Sequence, residues 1–160
     1  LYKQIISIVA ASIVAAVVVA GCGSSGDSST DSTATVTKAA FIKQGDTICT
    51  KGNEGIQAGL KAFVAKNHIG PEKEFTKELQ EEAISTVALP SIQKQAEEIA
   101  ALGAPSGDEQ KIDAIVKGLE AGVEEAEEEP LSLNSSSRGG LTEANKLAQE
   151  YGFKVCGQNF

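Results

Sequence analysis

The hydrophobic positions of this 160-residue chain follow two regimes. Residues 5–20 read IISIVAASIVAAVVVA, a run without a single charge. From residue 37 onward, apolar side chains recur every three or four positions with polar residues between them, the pattern of amphipathic helices. Residues 23–36, GSSGDSSTDSTATV, separate the two and carry almost no apolar content before Ala34 and Val36. Such a stretch buries too little surface to offset its ordering entropy and reads as a flexible spacer.

Within the second regime, Phe41, Ile48, Cys49, Ile56, Leu60 and Phe63 fall on one helical stripe, which predicts a first helix over 37–66. Gly45, Gly52 and Gly59 recur every seven residues near that stripe, which suits close approach by another helix or weakens the middle of this one. Pro71 suits the first turn of a second helix, whose stripe runs from Phe75 to Ala100. Pro90 interrupts it; a missing donor and a ring clash predict a kink or break near Leu89, with the two segments keeping one direction. Ser106 and Glu109 match a capping box and open a third helix on Ile112, Ile115, Val116, Leu119 and Val123. The acidic end of that helix, residues 124–129, opposes the helix dipole and predicts fraying. A loop over 131–140 leads to a short helix over 141–151. There Gly152 suits a left-handed C′ position and Phe153 its apolar partner. No segment alternates long enough to be a strand. The expected fold is all-α: a bundle of three long helices and one short one over residues 37–160.

The first regime carries an address. The run 5–20 makes about 24 Å of helix, short for a membrane span and suited to the apolar core of a signal peptide, with Lys3 ahead of it. An uncleaved N-terminal anchor is the competing reading. Val19-Ala20-Gly21-Cys22 favours the signal, because small residues before the cysteine let a peptidase hold the extended backbone closely. This stretch resembles the lipobox of bacterial lipoproteins, with Val19 where leucine is commoner. The resemblance implies cleavage between Gly21 and Cys22, a diacylglyceryl group on the Cys22 thiol, and anchoring on the outer face of the cell membrane. Residues 1–21 would be the signal peptide and 22–36 the lipidated cysteine and its linker. Two acyl chains give stable attachment where one does not.

Charge narrows the partners. The formal net charge is −8, and removal of residues 1–21 takes away one lysine and makes it −9. An acidic domain is unsuited to nucleic acid and to lying flat on anionic lipid, both of which depend on Lys and Arg. Membrane contact would come through Cys22. About 120 residues follow the linker, enough for one domain.

Two cysteines remain, Cys49 and Cys156. An exported domain with one such pair reads first as a disulfide, two buried free thiols being the alternative. The bond would close a loop of about 108 residues, worth roughly 4.7 kcal/mol in the chain-entropy model. It would strap the C-terminal tail to the first helix. A second resemblance bears on the same pair. FIKQGDTICTKGN, ALPSIQKQAEEIAALGAPSGDE and YGFKVCG look like segments of a group of uncharacterised small lipoproteins of actinobacteria, a likeness covering most of residues 40–157. It implies the helical order and the Cys49–Cys156 pairing and brings no activity.

Catalytic patterns are sparse. The single histidine, His68, sits in a predicted loop, and the Ser-rich stretch 132–137 has no motif around it beyond the Asn134-Ser135-Ser136 sequon. One histidine is too few for a di-iron bundle, and no metal or other cofactor is expected. Carboxylate pairs at Glu81/Glu82, Glu97/Glu98 and within 124–129 leave a hydrolase conceivable, although they lie mostly opposite the apolar stripes. The expected function is therefore a membrane-anchored, extracytoplasmic, non-catalytic binding or envelope-assembly module with a protein or small-molecule partner. The alternatives are an envelope hydrolase using paired carboxylates, or a carrier holding an apolar ligand between helices.

Overall fold

The structure, a computed structural model, describes residues 36–134 and 139–158, at 139 and 140 the backbone alone. The described residues form one compact unit. Its elements are α1 (Lys38–Lys66), α2 (Lys77–Ala83), a π-helical piece (Ile84–Ala88), α3 (Leu89–Ala101), α4 (Glu109–Glu128), a 3₁₀ turn (Pro130–Asn134) and α5 (Gly139–Tyr151). Because α2, the π piece and α3 follow without interruption, the bundle has four helical rods. The only β-type pairing among the described residues is an isolated bridge between Gly70 and Lys73.

The start and end of each helix follow local chemistry. Thr37 caps α1, its hydroxyl accepting from the Ala40 amide at 3.2 Å. At the other end the Ile69 amide donates to the Val64 carbonyl and the His68 amide to the Ala65 carbonyl, with His68 at φ 53°. That is a Schellman closure with histidine in the left-handed place that glycine usually fills. Gly152, at φ 121°, closes α5 in the same way, and Phe153 donates its amide to the Ala148 carbonyl, as the sequence predicted.

Three boundary expectations are corrected. Pro71 does not open a helix: it lies in a tight turn in which Gly70 and Lys73 exchange backbone hydrogen bonds, and Thr76 caps α2 instead. The capping box at Ser106 does not form. Asp108 is the N-cap residue of α4, and the Glu109 carboxylate reaches back to the Gly107 amide at 2.9–3.0 Å. The stretch 131–140 is not all loop, since a 3₁₀ turn occupies its first part and α5 begins at Gly139. The acidic end of α4 stays helical to Glu128.

Pro90 neither breaks the second rod nor ends it. The Leu89 amide bonds the Ile84 carbonyl, an i→i−5 link that widens the turn just ahead of the proline. A wider turn shifts the hydrogen-bond register by one residue, so the missing donor and the ring are absorbed without a stop.

The rods pack in chain order: α1 against α3, α3 against α4, α4 against α5. Neighbours run antiparallel. Gly52 of α1 faces Gln95 and Gly59 faces Val87, while Gly118 of α4 faces Ala144 and Gly122 faces Leu141. The heptad glycines of α1 are thus close-approach points. A β-carbon at Gly45, Gly52 or Gly59 would collide with Phe153, Gln95 or Val87. These positions are filled by neighbouring side chains and open no cavity, contrary to what a carrier built on them requires.

The main core gathers Phe41, Cys49, Ile92, Ile99, Ile115 and Leu119 with Leu141, Tyr151, Phe153 and Cys156. Each fully buried large apolar side chain contributes about 1.5–3 kcal/mol. A second, smaller cluster joins Ile84 and Leu89 to Ala126, with Leu131 and Leu133 against it. Gln95 is the one buried polar side chain among the described residues, 2% exposed. Its amide nitrogen donates to the Ser91 carbonyl at 3.2 Å, and the Ser91 hydroxyl donates to the Gly52 carbonyl at 3.2 Å. Its own oxygen has no hydrogen-bond partner there.

Candidate functional site

Of the residues singled out by the sequence, Gly21 and Cys22 lie outside the described residues. Cys49 and Cys156 are brought together in a disulfide, with Cα atoms 5.2 Å apart and sulfurs bonded at 2.02 Å. Both are buried, at 0% and 2% exposure. This closes the ring of contacts, because α5 returns through its tail to α1.

The sequence reading passed over the residue that holds that tail. Asp46 follows Gly45 and lies three residues before Cys49, within one helical turn of it. Its carboxylate accepts from three consecutive backbone amides: Lys154 at 3.1 Å, Val155 at 2.8 Å and Cys156 at 3.3 Å. Successive amides converging on one carboxylate form an anion-holding nest, and each bond is charge-assisted. Phe153 fills the space over Gly45 and packs on Phe41 and Tyr151, with ring centroids 5.9 and 5.7 Å away. Phe41 meets Tyr151 edge to face at 6.1 Å. The signal available in the sequence was a carboxylate at 46 beside Gly45 and Cys49, on a stripe otherwise apolar.

At the same end a charged network surrounds Tyr151. Its hydroxyl donates to Asp108 at 3.0 Å, Lys111 pairs with Asp108 at 2.8 Å, and the Lys38 ammonium sits 4.2 Å from the Tyr151 ring centre. The hydrogen bonds from Lys111 and then Tyr151 hold the Asp108 carboxyl below the usual range. Burial, reinforced by the hydrogen bond to Asp108 and its charge, pushes the Tyr151 phenol up to about 12. Tyr151 is therefore neutral and Asp108 ionised at ordinary pH.

Grooves open on two sides of α4 among the described residues. One, of about 340 Å³ between α3 and α4, has Ala96 and Val123 in its lining together with Glu97, Glu120, Glu124 and Glu127. Two of the acidic clusters seen in the sequence thus meet across it, and all four carboxylates are exposed. The apolar pocket that would turn one of them into a general acid is not built around any of these four. The other groove, of about 390 Å³, lies where α4, α5 and the start of α1 meet. Ala114, Leu147 and the Tyr151 ring supply its apolar lining; Lys38, Lys111, Gln110 and Glu150 supply the polar part.

His68 is exposed and serves as the left-handed closure of α1. Among the described residues no three His, Cys, Asp or Glu side chains are grouped to hold a metal ion, and no helix is long and apolar enough to cross a membrane. Comparison with protein-family models, curated proteins and solved structures finds no match to this chain.

Proposed function

We propose that this chain is a lipid-anchored, extracytoplasmic binding or envelope-assembly module that works without catalysis. Residues 1–21 act as its signal, Cys22 carries the acyl chains, and residues 23–36 tether the helical domain to the membrane. The observation that carries this reading is the buried Cys49–Cys156 bond, the kind of crosslink that forms and persists in oxidising compartments. The Val19-Ala20-Gly21-Cys22 pattern and the polar stretch behind it support the same address. The scarcity of convergent catalytic groups favours binding over chemistry.

The test is native mass spectrometry of the full chain extracted gently from the membranes of a bacterium that processes lipoproteins. The expected species starts at Cys22, carries a diacylglyceryl mass and the two-hydrogen deficit of a disulfide, and retains a copurified molecule. The Cys22→Ala variant is expected to be released from the membrane fraction or to remain unprocessed. A variant that stays bound and is cut like the parent would refute the anchor.

A further inference from the structure

We infer that the groove between α4, α5 and the start of α1 binds a small organic carboxylate with an apolar body. The proposal rests on the binding-module reading and names the ligand class for it.

Four observations carry the inference. The groove, at about 390 Å³, falls at the small end of the range for ligand sites, roughly 300–1,000 Å³. Its apolar lining comes from Ala114, Leu147 and the Tyr151 ring, on rods fixed by the main core. Two ammonium groups line the same space, and they differ in how they are engaged. Lys111 is committed to Asp108 at 2.8 Å. Lys38 makes no ion pair among the described residues; it sits over the Tyr151 ring face at 4.2 Å, and its charge also acts on Asp108 at longer range. A cation over an aromatic face keeps its N–H groups available for an anion, so Lys38 is the group poised to meet a ligand. Finally, the wall is held in place: the Tyr151 hydroxyl is tied to Asp108, and its raised phenol keeps the ring neutral.

The charge arrangement selects within the anions. Lys38 opens α1 and Lys111 lies in the first turn of α4, so both sit at positive helix ends, while Glu150 stands near the negative end of α5. Glu150 lines the groove and repels any anion there. A dianionic phosphate bears that repulsion twice over, a monoanionic carboxylate once. An uncharged apolar molecule would leave Lys38 unused. With Lys111 answered by Asp108, the combination of the Lys38 ammonium, the opposing Glu150 and an apolar lining fits a monoanion with an apolar tail.

The experiment uses the full chain in phosphatidylcholine nanodiscs, with hexanoate as the probe and hexan-1-ol and inorganic phosphate as controls. Backbone amide shifts of Ala114, Leu147 and Tyr151 are followed by NMR. Hexanoate is expected to shift them saturably, hexan-1-ol more weakly, and phosphate not at all. Lys38→Ala is expected to weaken hexanoate about three- to fivefold, the scale of one exposed ion pair, and Glu150→Gln to strengthen it by about as much. Both side chains are exposed, and unchanged amide shifts elsewhere verify the fold of each variant. Shifts that fail to saturate, equal binding of hexan-1-ol, or an unaltered response in Lys38→Ala would each overturn the proposal. None of these outcomes touches the copurification result, so the ligand class can fail while the binding module stands.

Discussion

The two ends of the bundle are held by different means. At the end where α1 begins, one disulfide, three amides on Asp46, an aromatic triad and the Tyr151–Asp108–Lys111 network all converge on the returning tail. At the opposite end the connection from α1 to α2 is held by a tight turn at Pro71 and by Phe63 packing on Phe75, with ring centroids 6.4 Å apart. Phe75 is 39% exposed, whereas Phe41 is fully buried. Among the described residues, the core cluster nearest that end is Ile84, Leu89 and Ala126 with two half-buried leucines. Of the five aromatic rings among the described residues, three gather around the tail. Contacts are thus concentrated at the end where α1 begins, and the opposite end, with fewer of them, is expected to open first.

The largest expected effect breaks the better-held end. Replacing Cys49 and Cys156 together by alanine removes a crosslink between residues 107 apart. The loss should be about 2–5 kcal/mol, or roughly 10–20 °C in Tm by calorimetry. A loss below about 1 kcal/mol would mean that the crosslink adds little and that the comparison between the ends rests on Asp46 and the rings.

Asp46→Ala comes next, at about 2–3 kcal/mol, because three tail amides lose their acceptor while the tail stays tethered by the disulfide. Asp46 and the disulfide hold the same strap, so their effects should not add. A double-mutant cycle comparing Asp46→Ala with and without the cysteines should show a coupling of about 1 kcal/mol or more. Strict additivity would mean that the carboxylate and the crosslink act on separate elements.

Much of this end could be read from the chain and part of it could not. Gly152 followed by Phe153 announced the closure of α5, and the spacing of Ile112, Ile115, Leu119 and Val123 announced the buried face of α4. These are local signals, and the structure follows them. The role of Asp46 was hidden because its partners are backbone amides 108–110 residues away, and an amide leaves no mark in a sequence. The end of α1 at Lys66 was legible, but the form of its closure was not, because histidine, and not glycine, takes the left-handed place. The rod was expected to keep its direction past Pro90, but the π turn that carries it through was not legible, because helix propensity does not encode a shift of hydrogen-bond register. The two grooves arise from side chains of separate helices and could be found only after the rods were assembled.

Tyr151→Phe should cost about 1 kcal/mol at neutral pH, the value of one hydrogen bond to Asp108. Its sharper signature is in alkali. The folded-state phenol is raised to about 12 from an ordinary value of 10, so the folded state favours the neutral form. That contribution is fully present below pH 10 and is lost as pH rises through about 12. Thermal melts at stepped pH should show the parent losing stability across this window, with the Tyr151→Phe variant losing less. Equal losses in the two proteins would place the alkaline sensitivity elsewhere, for instance in the lysines.

The smallest effect belongs to the far end and tests the comparison from its weak side. Phe75→Ala removes a half-exposed ring that touches Phe63, so global stability should fall by less than about 1 kcal/mol. The consequence should be local. Phe63 has no other aromatic contact among the described residues, and the turn beyond it is secured mainly by the Gly70–Lys73 pair and by the Lys73 ammonium on the Asn67 carbonyl at 2.9 Å. Amide hydrogen exchange should quicken through 67–83 and stay unchanged around Asp46, Cys49 and the tail. If exchange quickened equally at both ends, the ring would be a support of the whole bundle. The two ends would then melt as one cooperative unit, because a region that opens by itself transmits nothing to the region that stays closed.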